Sequence, residues 1–264
     1  MGEASAAPGG RALGPLRVTV AGSGDAFGSG GRLQTCVHVQ PVGKGHEEGV
    51  LLDCGASALT GLKRCGLEPN DVTVVAVSHL HGDHFGGLPY LLLDGQFRRR
   101  ARPLHLVGPP GLAERLEQAM EVLFPGSTQV RRRFATHVHE LVPGATLEVG
   151  QVTVQTFGVE HAAGAPALGL RLEVASRVVA YSGDTAWTDT LIELADEADL
   201  FVCEAYTATR PIRYHLDLPT LRANLHRLRC ARLLLIHPSP DLLAHRADLG
   251  GDLDLADDGT VIEL

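Results

Sequence analysis

Residues 71–84, DVTVVAVSHLHGDH, constrain the fold of this chain most. Asp71 to Val77 is a near-continuous apolar run, the pattern of a strand buried on both faces. It runs into Ser78-His79-Leu80-His81-Gly82-Asp83-His84, where three imidazoles and a carboxylate crowd together. On a regular strand alternate positions share a face, so 79, 81 and 83 align but 84 does not. On a helix the four splay. A loop is therefore expected, with Gly82 supplying the tight bend. Imidazole suits zinc, iron and similar ions, and the added carboxylate accommodates a second ion. Two neighbouring ions can share a bridging hydroxide and clamp both the attacking and the leaving oxygen.

Two ions need more ligands, drawn from distant sequence. His161 follows the apolar run Val152–Val159, Asp184 follows Val178–Tyr181 in Ser182-Gly183-Asp184-Thr185, and His237 follows Leu233–Ile236. Ligands at strand ends along one sheet edge converge on one site, and a carboxylate such as Asp184 can bridge. Asp53, closing the strand-like run Gly49–Asp53, is placed to accept a hydrogen bond from a metal-bound imidazole.

The rest of the chain alternates strands and helices. Strands are expected at Leu16–Ala21, Thr35–Gln40, Leu104–Val107, 145–157, 167–174, 177–182, Leu200–Cys203 and Thr260–Glu263. Helices are expected at Ala56–Cys65, Gly87–Asp94, Pro110–Leu123, Thr188–Ala195 and Leu218–Leu228. Strand-rich segments open each half and helices follow, which predicts an α/β chain with two inner sheets and outer helices. Residues 1–15, rich in Gly, Ala and Pro, read as a flexible tail, and 16–264 as a single domain. The net charge of −8 argues against a generalised basic surface for nucleic acid. Five scattered cysteines without CxxC spacing indicate reduced thiols in a cytoplasmic protein, and no stretch reaches membrane-spanning length.

The segments SHLHGDH, His161, SGDT and IHPS, in this order, resemble the metallo-β-lactamase superfamily, whose fold is a four-layer αβ/βα sandwich. The resemblance implies that His79, His81 and His161 hold one metal, that Asp83, His84 and His237 hold the other, and that Asp184 bridges. The implied cofactors are two divalent ions, zinc above all, with manganese or iron as variants. The Gly22–Gly31 loop, the Gly108–Leu112 segment and Cys203-Glu204-Ala205-Tyr206 with the later His215 resemble the ribonuclease Z branch and its phosphodiesterase relatives. There, Glu204 and His215 match a proton-transfer pair and Asp83 orients the attacking hydroxide.

The sequence also departs from that branch. Cys203, Tyr206 and Leu216-Asp217 replace its His, Thr and Ser-Thr. The interval from His161 to Asp184 has room only for a hairpin, not a tRNA-grasping arm. The expected substrate is therefore a small molecule or short nucleotide-like ester rather than tRNA, handled by a cytoplasmic protein that the branch's habit makes a homodimer. The same site would also serve a carboxylic ester, lactone or sulfate ester. A non-catalytic metal-binding regulator is the remaining alternative, and retention of all seven ligand positions weighs against it. Two arginine runs, 98–100 and 131–133, offer contacts to phosphates, but the preferred reading is solvated loops.

Overall fold

The computed structural model describes residues 14–43, 48–251 and 253–264. Most of the expected N-terminal tail, and His46, lie outside the described residues. In chain order the elements are β1 (Leu16–Gly22), β2 (Cys36–Pro41), β3 (Gly49–Leu52), α1 (Ala58–Arg64), β4 (Val72–Ala76), α2 (Gly82–Phe85), α3 (Leu88–Phe97), β5 (Leu104–Gly108), α4 (Leu112–Leu123), β6 (Thr136–Glu140) and β7 (Thr146–Val149). They continue with β8 (Val152–Val159), β9 (Ala167–Val174), β10 (Arg177–Tyr181), α5 (Thr190–Ala195), β11 (Leu200–Glu204), α6 (Leu218–Asn224), β12 (Leu233–Ile236), α7 (Pro240–Ala244), β13 (Asp254–Leu255) and β14 (Val261–Glu263). No described helix is long and apolar enough to cross a membrane.

The strands form two seven-stranded sheets, ordered β14-β1-β2-β3-β4-β5-β6 and β13-β12-β11-β10-β9-β8-β7. Each is antiparallel at one end and parallel at the other: β3 to β6 run parallel, as do β10 to β13. Three apolar clusters account for the layers. One lies between the sheets and includes Val74, Ala76, Leu170, Val202 and Ile236. A second joins the first sheet to α1, α3 and α4 through residues such as Val75, Val77, Leu88 and Leu116. The third joins the other sheet to α5, α6 and α7 through Phe201, Leu191, Leu221 and Leu242. Runs such as Val74-Val75-Ala76-Val77 are apolar throughout because alternate residues enter different cores. The architecture is the expected αβ/βα sandwich.

The parallel ends set the site. His79 lies just beyond the C-terminal end of β4, Asp184 beyond β10 and His237 beyond β12, while Glu204 closes β11. β8 runs in the same direction as β10, because each is antiparallel to β9, so His161 emerges at that same edge.

One buried residue makes the fold acid-sensitive. The His38 ring on β2 packs against Gly49, where a Cβ would meet Nε2 at 2.2 Å, and its Nδ1 has no hydrogen-bond partner among the described residues. Burial pushes its pKa down to about 4. The unfolded chain takes up this proton first, near the ordinary histidine value of about 6.5. The neutral ring's contribution is thus fully present above about pH 6.5 and falls by about 3 kcal/mol as pH drops to about 4. His38→Leu is expected to flatten that part of the stability profile in urea unfolding followed against pH. An unchanged acid slope would contradict this.

Candidate metal centre

Two groups of side chains meet at the shared sheet edge. In the first, His79 Nε2 and His161 Nε2 each lie 3.2 Å from His81 Nδ1. Hydrogen bonds fix where the protons sit. His79 Nδ1 is 3.0 Å from Ser78 Oγ, whose own proton goes to Asp53, so the imidazole donates there. His161 Nδ1 donates to the Tyr214 carbonyl at 2.9 Å. Both Nε2 atoms are therefore bare lone pairs aimed at one point, and a single proton on His81 cannot serve both.

In the second group, Asp83, His84, Asp184 and His237 are all buried, with ligand atoms within 4.8 Å of one another. His84 Nδ1 donates to Asp53 Oδ2 at 2.6 Å, which leaves its Nε2 bare. That Nε2 lies 3.1 Å from Asp83 Oδ2 and 3.3 Å from Asp184 Oδ1, yet neither it nor Asp184 Oδ1 has a hydrogen-bond partner. His237 Nε2 is 3.3 Å from Asp83 Oδ2 and 3.5 Å from Asp184 Oδ1. Asp184 Oδ2 faces the other way, 4.0 Å from His79 Nε2. Orphaned buried acceptors and converging lone pairs fit a pair of cations. The His and Asp clusters suit a dinuclear metal site.

The electrostatics agree. Burial alone would lower the His237 pKa, but Asp184, aided by Asp83 at 3.3 Å and by the Glu204 carboxylate at 3.4 Å, holds it up at about 10. His84 is likewise held well above the usual value against its burial, by Asp184, Asp53 and Asp83. Burial would raise Asp184, yet His237 and His84 keep it well below the carboxylate range. The carboxylates thus call for positive charge beside these imidazoles, which a cation held by the Nε2 lone pairs would supply.

In the His-rich segment the local structure differs from expectation. Asp83 and His84 lie on the single turn of α2, not in an irregular loop, with His81 at its N-cap. One helical turn places Asp83 and His84 side by side, and the bend precedes it. Gly82 has no left-handed φ, and a Cβ there would touch nothing within 4 Å, so the bend does not depend on glycine. Gly183 carries that burden instead. Its φ is +60°, and a Cβ would stand 2.9 Å from that of Ser78. Only glycine lets the β10 end approach the His-rich segment so closely.

Glu204 and His215 also come together, at 2.5 Å between Oε1 and Nδ1. Glu204 is buried and accepts the Thr185 amide at 2.8 Å through its other oxygen. Burial would lower the His215 pKa, but the Glu204 carboxylate raises it above the usual value. Tyr206 stacks on His215 with ring centroids 4.5 Å apart. By contrast, His137 and His139 stay away from the centre. They stack with His105 on β5 and β6, where His105 Nδ1 is 3.1 Å from His139 Nε2.

Some supporting groups escape the sequence pattern. Tyr181 donates to Asp53 Oδ2 at 2.6 Å across the two sheets, and the Tyr214 carbonyl orients His161. Tyr181 left one trace, a lone polar atom at the end of an apolar strand. Tyr214 left none, because only its backbone acts.

Residues 16–262 match the protein family described as Anti-Pycsar protein Apyc1. A ribonuclease Z from Methanothermobacter thermautotrophicus is 27% identical over 236 residues, spanning 72% of this chain and 74% of that relative. The crystal structure of human tRNase Z, short form, is 26% identical with a TM-score of 0.74 and covers 93% of this chain and 98% of its own. YhfI, a metallo-beta-lactamase fold protein from Bacillus subtilis, superposes with a TM-score of 0.77 at 21% identity, covering 95% and 100% of the two chains. The fold and its metal-binding edge define a metal-dependent hydrolase of the metallo-β-lactamase superfamily, in the ribonuclease Z-like branch. Within it, this chain belongs to the Anti-Pycsar protein Apyc1 family.

Proposed function

We propose that the chain hydrolyses a small phosphodiester, a cyclic nucleotide or a short nucleotide-like ester, with two divalent ions, zinc foremost. His79, His81 and His161 would hold one ion and Asp83, His84 and His237 the other, with Asp184 between them. When bound, such ions supply Lewis acidity and a nucleophile at neutral pH. Asp83 would also orient the attacking oxygen.

The observation that carries the phosphodiester reading is the Glu204–His215 pair beside Asp184. An alkoxide leaving from phosphorus needs a proton. His215 Nδ1 is engaged by Glu204 at 2.5 Å, and the carboxylate favours the imidazolium, so Nε2 is left to give its proton. The 23-position interval between His161 and Asp184, given by 184 − 161, is taken up by β9 and β10 joined at Ala175-Ser176. That supports a substrate held without a tRNA arm.

A panel of cyclic nucleotides, bis-p-nitrophenyl phosphate, lactones and aryl sulfates, run with added zinc or manganese, tests the reading. Phosphodiester turnover is expected. His215→Ala should slow poor alkoxide leaving groups by about 10²- to 10⁴-fold and p-nitrophenolate by less than about tenfold. If only lactones or sulfates turn over, the reading falls. If His215→Ala slows both leaving groups alike, His215 is not the proton donor.

A further inference from the structure

The two arginine runs are solvated, as their sequence suggests, with Arg98, Arg99, Arg131 and Arg133 exposed, but they are not separate. Residues 99–101 immediately precede β5 and residues 131–133 precede β6, and these strands are parallel neighbours, with Leu104 opposite Thr136. The topology thus gathers both runs at one place, where Arg99, Arg100, Ala101, Arg131, Arg132 and Arg133 line a cavity of about 480 Å³. This is the N-terminal edge of the strands, opposite the edge carrying His79. The length of β5 alone separates the two by about 16 Å.

The arginines divide by role. Arg100 is buried and spends its guanidinium on the carbonyls of Arg102, Pro69, Val72 and Pro103. It holds the floor. Among the described residues, Arg99, Arg131, Arg132 and Arg133 make no side-chain hydrogen bond or ion pair, although neighbouring Arg98 is paired with Glu68 at 2.7 Å. No carboxylate lines the cavity, in a chain whose net charge is −8. Four guanidinium groups around one cavity are free to meet an anion, and planar N–H forks are matched by phosphate oxygens.

Arg132 connects this cavity to a second one. It is half-buried, and burial lowers its pKa with no counter-charge to restore it. It also lines an adjoining pocket of about 240 Å³, where Leu116, Met120 and Val138 stand beside Glu117, Thr128 and Thr136. An arginine-lined mouth beside a pocket that offers apolar walls, hydroxyls and one carboxylate matches a phosphorylated molecule with a polar ring rather than a bare anion or a long strand. Both are open to solvent, and together they have the volume of a small-molecule site.

We propose that this arginine cavity is a second ligand site, for a phosphorylated small molecule such as a nucleoside diphosphate, with its phosphates on Arg99 and Arg131–Arg133 and its planar or apolar part against Met120 and Leu116. The proposal does not depend on the phosphodiesterase reading.

Calorimetric titration of the metal-loaded chain with ADP, inorganic pyrophosphate and a ten-nucleotide single-stranded RNA tests it. ADP is expected to bind more tightly than pyrophosphate. Arg131→Ser with Arg133→Ser should weaken ADP at least tenfold, while His81→Ala should change it less than twofold. The double variant should keep its melting temperature and its turnover of bis-p-nitrophenyl phosphate, since both arginines are exposed. Loss of ADP binding in His81→Ala would place the ligand at the metal centre and overturn the proposal. So would ADP binding indifferent to the arginines, no ADP binding at all, or binding of the RNA alone.

Discussion

Replacing Asp184 by Asn is expected to lower phosphodiester turnover at least about a thousandfold and to strip metal from the chain. The substitution keeps shape and removes charge. Asp184 Oδ1 lies 3.3 Å from His84 Nε2 and 3.5 Å from His237 Nε2, while Oδ2 is turned towards His79 Nε2 at 4.0 Å. Each oxygen therefore addresses a different cluster. An amide presents one acceptor and one NH₂ donor, and the donor cannot face bare imidazole lone pairs and a cation together. Lewis-acid stabilisation of about 4 kcal/mol corresponds to about a thousandfold in rate. His81→Ala is the companion variant. It empties only the three-histidine cluster, so it should retain about one ion per chain, whereas Asp184→Asn loosens both. Turnover with elemental analysis of the reconstituted protein separates the two. An Asn variant with full metal and more than about a tenth of wild-type turnover would remove Asp184 from the bridging position.

The seven clustered residues stood out in sequence because the His-rich segment, His161, Asp184 and His237 each follow an apolar run, and strand ends of one direction converge at one sheet edge. Position along a strand is a periodic property, readable from residue type. Glu204 and His215 were legible only through resemblance. Nothing local in Cys203-Glu204-Ala205-Tyr206 announces a partner eleven positions away, a spacing set by the loop before α6. The shape of the His-rich segment was misread because one helical turn and an irregular loop look alike over four residues. Helical spacing becomes diagnostic only over several turns. The short elements α7 and β13 left no clear periodicity for the same reason. Strand order was not legible at all. That order alone makes neighbours of the sequences before β5 and β6, so two arginine runs that read singly as solvent-exposed loops became one cavity.

Asp53 shows how far the support of the centre extends, and its removal is the second large effect expected. The residue is fully buried, with a left-handed φ of +59°. It accepts four hydrogen bonds: from the Ser78 amide at 2.7 Å, Ser78 Oγ at 2.7 Å, His84 Nδ1 at 2.6 Å and the Tyr181 hydroxyl at 2.6 Å. Through Ser78 it orients His79, and directly it orients His84, so one carboxylate sets a tautomer in each metal cluster. Asp53→Ala leaves three residues' buried donors without their acceptor, at about 1–3 kcal/mol per orphaned group. It also puts a Cβ without a polar tip into left-handed backbone at about 1 kcal/mol. A loss of about 4 kcal/mol or more is expected, about 10 °C in melting temperature for a chain of this size. Asp53→Asn tolerates the same backbone and keeps one acceptor oxygen, so it should fold with a smaller loss. Its metal affinity should still fall by about 10- to 100-fold, because the His84 imidazole is no longer held by a charge. Measuring melting temperature and metal affinity on both variants separates support of the fold from support of the centre. If Asp53→Asn bound metal as tightly as the parent chain, the carboxylate would be a fold residue alone, and the link from Asp53 to both clusters would fail.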